Sequence, residues 1–310
     1  MKKQVTITLK VSEKTKDMMI DFFNDLKKPI TPPYAVFQAK DGDTTVTLYE
    51  SGKAVFQGLD ADLASDFWIE TERINSGSAT TTNSNDKKKE EKKEKIIPLR
   101  ISSIGSDEVG TGDYFGPIVV TASYVSRDNI DFLLELKVKD SKKLTDADIL
   151  AIVPKIIKKI PYKTYILNNK EYNSYYNNYN MNAMKAILHN RVLYDLKMEN
   201  YSYDYIVVDQ FEPPRSYYKH INSATKKVTD IFFLTKAEDQ CLSVACSSMI
   251  SRYIFLKEMD KLSKEIGITL PKGANPKVDD IGKEIVKKYG KDKLAEIAKL
   301  NFKNTNKIID

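Results

Sequence analysis

Between residues 74 and 97 this chain offers almost nothing that a hydrophobic core can bury. Asn75 to Asn85 is a run of Ser, Thr, Asn, Gly and Ala, and Lys87 to Lys95 is made only of Lys and Glu. Segments this polar do not recover the entropy lost on ordering them. The stretch 74–97 is therefore read as a flexible polar linker, its Lys/Glu run as a solvated one. Such a break divides the 310 residues into a small part, 1–73, and a large part, 98–310. Each part is long enough to form a core of its own.

In the small part, Gln4 to Lys10 alternates with the period of a strand. Lys14–Lys28 sets Met18, Met19, Phe22, Phe23 and Leu26 on one helical face. Tyr34–Lys40, Thr44–Glu50 and Lys53–Gln57 read as short strands joined by Asp-Gly and Ser-Gly turns. Asp60–Glu72 reads as a second helix around Leu63, Phe67, Trp68 and Ile69. This order predicts an α+β unit with its helices on one sheet face.

Residues 1–75 hold 10 Lys and Arg against 12 Asp and Glu, whereas 98–310 hold 33 against 27. The basic excess lies in the large part, where it permits contact with a polyanion without requiring one. No run approaches the ~20 apolar residues of a membrane span, and Val5, Ile7 and Leu9 alternate with polar residues where a signal peptide would be apolar. A cytoplasmic monomer with no membrane association is expected. Cys241 and Cys246 share one apolar helical stretch and read as buried thiols. His189 and His220 are far apart in sequence, which gives poor support for a histidine metal site or a Ser/His triad.

In the large part, strands are expected at Leu99–Ser106, Ile118–Val125, Tyr162–Asn168, Tyr203–Asp209 and Val228–Leu234. Helices are expected at Thr145–Lys159, Asn182–Glu199, Lys236–Lys264, Asp279–Lys288 and Asp292–Leu300. Interleaved elements of both kinds predict an α/β fold with a mixed sheet flanked by helices. At Asp107 and Glu108 two carboxylates close an apolar run, and Gly110-Thr111-Gly112 follows at once. Strand neighbours point to opposite faces, so both acids serve one site only if the strand ends or bends there. Paired acids beside a glycine turn suit a magnesium site on a phosphodiester. The same spacing also suits a charged hairpin corner.

Residues 107–117, Asp-Glu-Val-Gly-Thr-Gly-Asp-Tyr-Phe-Gly-Pro, resemble the opening signature of the type 2 ribonucleases H, in the form of the bacterial ribonuclease HIII branch. Three further segments agree in order: Asp140-Ser-Lys-Lys-Leu144, Asp209 at the end of Tyr205–Asp209, and Lys236-Ala-Glu-Asp239 ahead of Ser243–Arg252. The likeness covers roughly residues 98–310. The small part, by its element order and position, resembles half of a TATA-binding-protein saddle, the accessory substrate-binding domain of that branch.

The resemblance implies a ribonuclease H-like fold and cleavage of the RNA strand of RNA–DNA hybrids, leaving 5′-phosphate and 3′-hydroxyl ends. It implies Asp107, Glu108, Asp209 and Glu238 as catalytic residues that ligate Mg²⁺ or Mn²⁺. Two such ions about 4 Å apart suit in-line displacement. Asp239 is the neighbour most easily confused with the fourth ligand. Gly110, Thr111 and Gly112 are implied to meet the RNA strand, with backbone groups reading 2′-hydroxyls, and Lys142 and Lys143 to hold a phosphate. Asp113 and Asp140 read as turn or cap residues. The tyrosines at 172, 175, 176 and 179 read as filler rather than a stacking platform. Two alternatives stand beside this reading: ribonuclease HII-like cleavage at single ribonucleotides in duplex DNA, and a non-catalytic nucleic-acid-binding protein.

Overall fold

The alternating residues of Val5–Lys10 form β1, and Ser12 caps α1, Glu13–Phe22, by accepting from the Thr15 amide. β2 (Ala35–Asp41), β3 (Thr44–Tyr49), β4 (Lys53–Gly58), α2 (Ala61–Ser76) and β5 (Thr81–Asn83) follow. The computed structural model describes residues 5–41, 44–58, 61–76, 80–83 and 100–309, which fall into two units, 1–92 and 93–310. In the first, an antiparallel sheet of order β2-β3-β4-β1-β5 buries Leu9, Phe37, Val46 and Phe56 against Met19 of α1, Phe23 just after it and Trp68 of α2.

Two expectations for this unit need correction. The first helix stops at Phe22 rather than Lys28, and Asn24–Leu26 makes one 3-10 turn. Lys28 precedes Pro29, whose ring disfavours helical backbone before it, and Lys27 instead bridges to Ala39. Part of the expected linker is also structured. The second helix runs on to Ser76, and Thr81–Asn83 pairs antiparallel with β1, Ile7 facing Asn83. Backbone groups on an open strand edge accept a β-branched partner whether or not it brings apolar side chains. Residues 77–79 and 84–97 of that stretch lie outside the described residues.

The second unit contains β6 (Ser103–Val109), β7 (Ile118–Val125), α3 (Ile130–Glu135), a 3-10 turn (Val138–Lys143), α4 (Asp146–Ile156) and β8 (Tyr162–Leu167). It continues with α5 (Asn169–Tyr176), α6 (Met181–Lys197), β9 (Tyr205–Asp209), α7 (Pro214–His220), β10 (Ile231–Leu234), α8 (Ala237–Gln240), α9 (Leu242–Ile266), α10 (Pro276–Ile297) and α11 (Asn304–Ile309). The sheet order is β10-β9-β6-β7-β8. β10, β9 and β6 are parallel, while β7 runs antiparallel to both its neighbours. One face packs on α6 through Ile104, Val120, Leu193 and Val208. α9 covers the other face at close range: a Cβ on Gly105 would lie 2.5 Å from Ser243 Oγ. Hydroxyls fill that seam, Ser103 to Ser243 at 2.9 Å and Ser247 Oγ to the Gly105 carbonyl at 2.8 Å.

The long helix expected from Lys236 is broken at Cys241, whose φ of −128° and ψ of 118° are extended. There Cys241 packs with Val207, Leu234 and Val244, leaving α8 as a separate turn. The two helices expected near the end are both present: α10 consists of two helical stretches separated at Gly290, whose φ of 84° and ψ of 172° are not helical. Tyr172 is fully buried, while Tyr175, Tyr176 and Tyr179 are exposed. Both cysteines are buried free thiols. Among the described residues no helix is long and apolar enough to cross a membrane.

Candidate active site

β6 does not end at its acids. It stays in register with β7 through Asp107↔Thr121 and Glu108↔Val120, so pleating sends the two carboxylates to opposite faces. Ser103 and Gly105 face α9, and Asp107 follows them: Ser248 hydrogen-bonds its carboxylate and Ser251 Oγ donates to its carbonyl at 3.2 Å. Asp209 ends β9, one step beyond the last β6–β9 pair, Ser106↔Val208. That register sets Asp107, still within β6, beside Asp209 at the end of the parallel strand β9.

Their electrostatics carry the mark of that placement. Burial and the Glu108 charge push the Asp107 carboxyl well above the usual carboxylate range, with Asp209 adding to the rise. Burial also raises Asp209, to about 6, against a 2.8 Å hydrogen bond from the Ala237 amide; Glu238 and Glu108 raise it further. Glu238 thus acts on Asp209 electrostatically from α8, half-buried, while Asp239 beside it is exposed.

Glu108 has a different setting on the α6 face. Lys185 Nζ lies 2.5 Å from its Oε1, and His189 Nε2 lies 2.8 Å from its Oε2. Nδ1 of the same imidazole is 2.8 Å from Ser106 Oγ, a pattern that assigns the Nε2 proton toward Glu108. Phe211 backs both partners, 4.0 Å from the ammonium and 5.6 Å from the imidazole. Burial works to raise the Glu108 carboxyl, but Lys185 and His189 outweigh it and hold it down. Sequence reasoning passed over both partners, though Lys185 and His189 are four residues apart on one helix and so share a face.

The four acids supply only hard oxygen donors, the set preferred by Mg²⁺ and Mn²⁺. Burial first, and neighbouring carboxylates after it, raise the carboxyls of Asp107 and Asp209, a charge balance that a cation would relieve. By donor chemistry and charge the residues fit a divalent cation. As oriented, though, no three such groups among the described residues stand close enough to hold one. A third oxygen reaches the Asp107–Asp209 pair only if a side chain turns.

The glycine turn is asymmetric. Gly110 has φ 100°, and a Cβ there would lie 2.2 Å from the Pro117 carbonyl oxygen. Gly112 is exposed, with nothing within 4 Å of the corresponding position. Thr111 between them is half-buried. Asp113 is a turn residue, its Oδ1 accepting from the Gly273 amide at 2.6 Å. Lys143 is exposed on the 3-10 turn, which packs beside α8. The side chains of Asp140 and Lys142 lie outside the described residues.

Over residues 104–305 the chain matches the family model of Ribonuclease HII, and over 6–81 that of a domain of unknown function (DUF3378). Ribonuclease HIII of Bacillus licheniformis is 43% identical over 276 residues, 88% of each chain. That of Lactococcus lactis is 40% identical over 310 residues, 98% of each. The chain belongs to the ribonuclease HIII family. A solved ribonuclease HIII structure, Bst-RNase HIII in complex with Mn²⁺, superposes with a TM-score of 0.66 at 35% identity, covering 98% of both chains. Ribonuclease HIII likeness therefore spans both units, and the enzyme class is a ribonuclease H hydrolase.

Proposed function

We propose that Asp107, Glu108, Asp209 and Glu238 together hold the divalent cations, Mg²⁺ or Mn²⁺, with which this ribonuclease cuts the RNA strand of RNA–DNA hybrids. The endonucleolytic, metal-dependent reaction is that of the family. The observation that carries the residue assignment is the side-by-side placement of Asp107 and Asp209, with Glu108 and Glu238 both acting on Asp209. Cations held by these residues would supply Lewis-acid activation of water and charge stabilisation for hydrolysis that leaves 5′-phosphate and 3′-hydroxyl ends. The protein's own part is placement. β6 and β9 set two acids on rigid strands, Ala237 orients Asp209, and Lys185 with His189 keeps Glu108 ionised and directed.

On this reading Gly110, Thr111 and Gly112 present backbone to the RNA strand, for which the open surface at Gly112 leaves room. Lys142 and Lys143 hold a phosphate. The small unit, 1–73 with the strand at 81–83, is a substrate-binding domain joined by the remainder of 74–97 to the catalytic domain, 98–310. The enzyme works as a cytoplasmic monomer, a compartment suited to its buried free thiols. The test is cleavage of matched RNA–DNA hybrid, RNA duplex, DNA duplex and a DNA duplex with one ribonucleotide, with Mg²⁺ and Mn²⁺ compared. Cutting of the hybrid with 5′-phosphate ends supports the reading. Preference for the single ribonucleotide moves the chain to ribonuclease HII-like specificity, and metal-independent binding without cleavage makes it a non-catalytic binder.

A further inference from the structure

Lys299 is a lysine with no exposed surface, and no part of the mechanism above uses it. It lies in the segment after α10, remote in sequence from the acids, yet its side chain ends beneath the turn that follows them. Its Nζ donates to the carbonyls of Asp113, at 2.8 Å, and Gly116, at 2.5 Å. Its backbone amide donates to the Tyr114 carbonyl at 2.9 Å, the Gly116 amide donates to Ile297, and Phe115 bridges to Ala298. Asn169 Nδ2 adds a second donor to the Gly116 carbonyl at 2.9 Å. These contacts grip the 113–116 bend that follows the exposed Gly112.

A buried ammonium is costly, and apolar packing alone would be served better by leucine or methionine. Burial pushes the Lys299 amine down to about 7, with the Asp113 charge pulling the other way. A neutral amine has two N–H donors, matching the two carbonyls that it meets. Those carbonyls flank the bend that closes the Gly110–Pro117 loop, and among the described residues no other side chain donates to both.

We infer that Lys299 is a positioning residue for RNA recognition: it fixes the Gly110–Pro117 loop so that the exposed turn at Thr111–Gly112 presents its backbone to the RNA strand at the right height. This rests on the reading of that turn as the RNA reader.

The experiment compares the full chain with Lys299→Met, Lys299→Gln and Gly112→Val. The readout is dissociation constants for a hybrid and a DNA duplex of the same sequence, taken in chelator so that nothing is cut. Two lost hydrogen bonds at a recognition loop give about a tenfold weaker hybrid affinity in Lys299→Met, with DNA duplex affinity changed less than about twofold. Lys299→Gln, which keeps an N–H donor, recovers part of that selectivity. If Gly112→Val leaves the hybrid-to-duplex ratio intact, the turn is not the reader and the underlying proposal fails. If Gly112→Val lowers the ratio and neither Lys299 variant does, the turn stands and the role of Lys299 is overturned. Should Lys299→Met not fold, Lys299→Gln decides alone: a reduced ratio supports the role, an unchanged one removes it.

Discussion

Glu108 Oε1 lies 2.5 Å from Lys185 Nζ, with both side chains almost wholly enclosed. Removing one member of an enclosed ion pair leaves the other charge without its partner. Lys185→Met is expected to destabilise the large unit by about 3 kcal/mol. Adding Glu108→Gln should restore most of that loss, because the uncompensated carboxylate goes with it. Urea unfolding of the four chains of the cycle checks this; additive losses would mean that the pair is not coupled.

Asp107→Asn, Glu108→Gln, Asp209→Asn and Glu238→Gln are each expected to lower hybrid cleavage by about 10³-fold or more, the scale of losing a group that stabilises transition-state charge. Asp107→Asn and Asp209→Asn should also stabilise the cation-free protein by about 1 kcal/mol, since each removes a carboxyl held above its usual range. Asp239→Asn is expected to cleave nearly normally. The reverse result at positions 238 and 239 would transfer the fourth ligand to Asp239.

Stability is expected to rise with pH between about 7 and 10, in part through Lys299. The amine titrates near 7 in the fold, and near 10.4 when the chain is unfolded. Between those values the unfolded chain binds the extra proton, so raising pH favours the fold by up to ~1.4 kcal/mol per unit. Below 7 both forms are charged and the whole burial penalty applies. Thermal melts of the wild type against Lys299→Met across this range should converge on one slope difference. Parallel curves would mean that Lys299 titrates normally.

The two turn glycines should respond differently. Gly110→Val combines a positive φ with a 2.2 Å collision against Pro117, and is expected to cost ~3 kcal/mol or more of stability. Gly112→Ala should change stability by less than ~0.5 kcal/mol while still weakening hybrid binding. Melting temperatures beside hybrid titrations separate the two; similar melts would contradict the asymmetry.

A chain truncated to begin at Lys95 is expected to keep its fold, because the large unit has its own core, and to bind hybrid more weakly. Unchanged hybrid affinity at matched salt would remove the substrate-binding role of the small unit.

Much of this architecture was legible from period and punctuation. Ile118–Val125 is apolar almost throughout, as a strand covered on both faces must be, and the helix expected from Thr145 is α4, Asp146–Ile156. What escaped depended on distant partners. Thr81–Asn83 becomes a strand only because β1 has an open edge. The break at Cys241 is set by packing against Val207 and Leu234, which no local propensity records. The acids were found as a motif, but their opposite facing follows from strand β6 continuing through them. Lys185 and His189 lie in a helix that otherwise reads as plain core, and Lys299 looks like any surface lysine until the loop that it holds is in place.

The hydroxyl-lined seam between β6 and α9 has a consequence for how finely the acid cluster is dimensioned. Asp107 is carried by the strand, and Glu238 hangs from α8, hinged at Cys241 to the start of the helix. The spacing between them is gauged by how deeply Ser243 and Ser247 seat against Gly105 and Ser103. One methyl group at Gly105 would act as a shim, levering the head of the helix outward and widening the gap between two carboxylates that the methyl itself never touches.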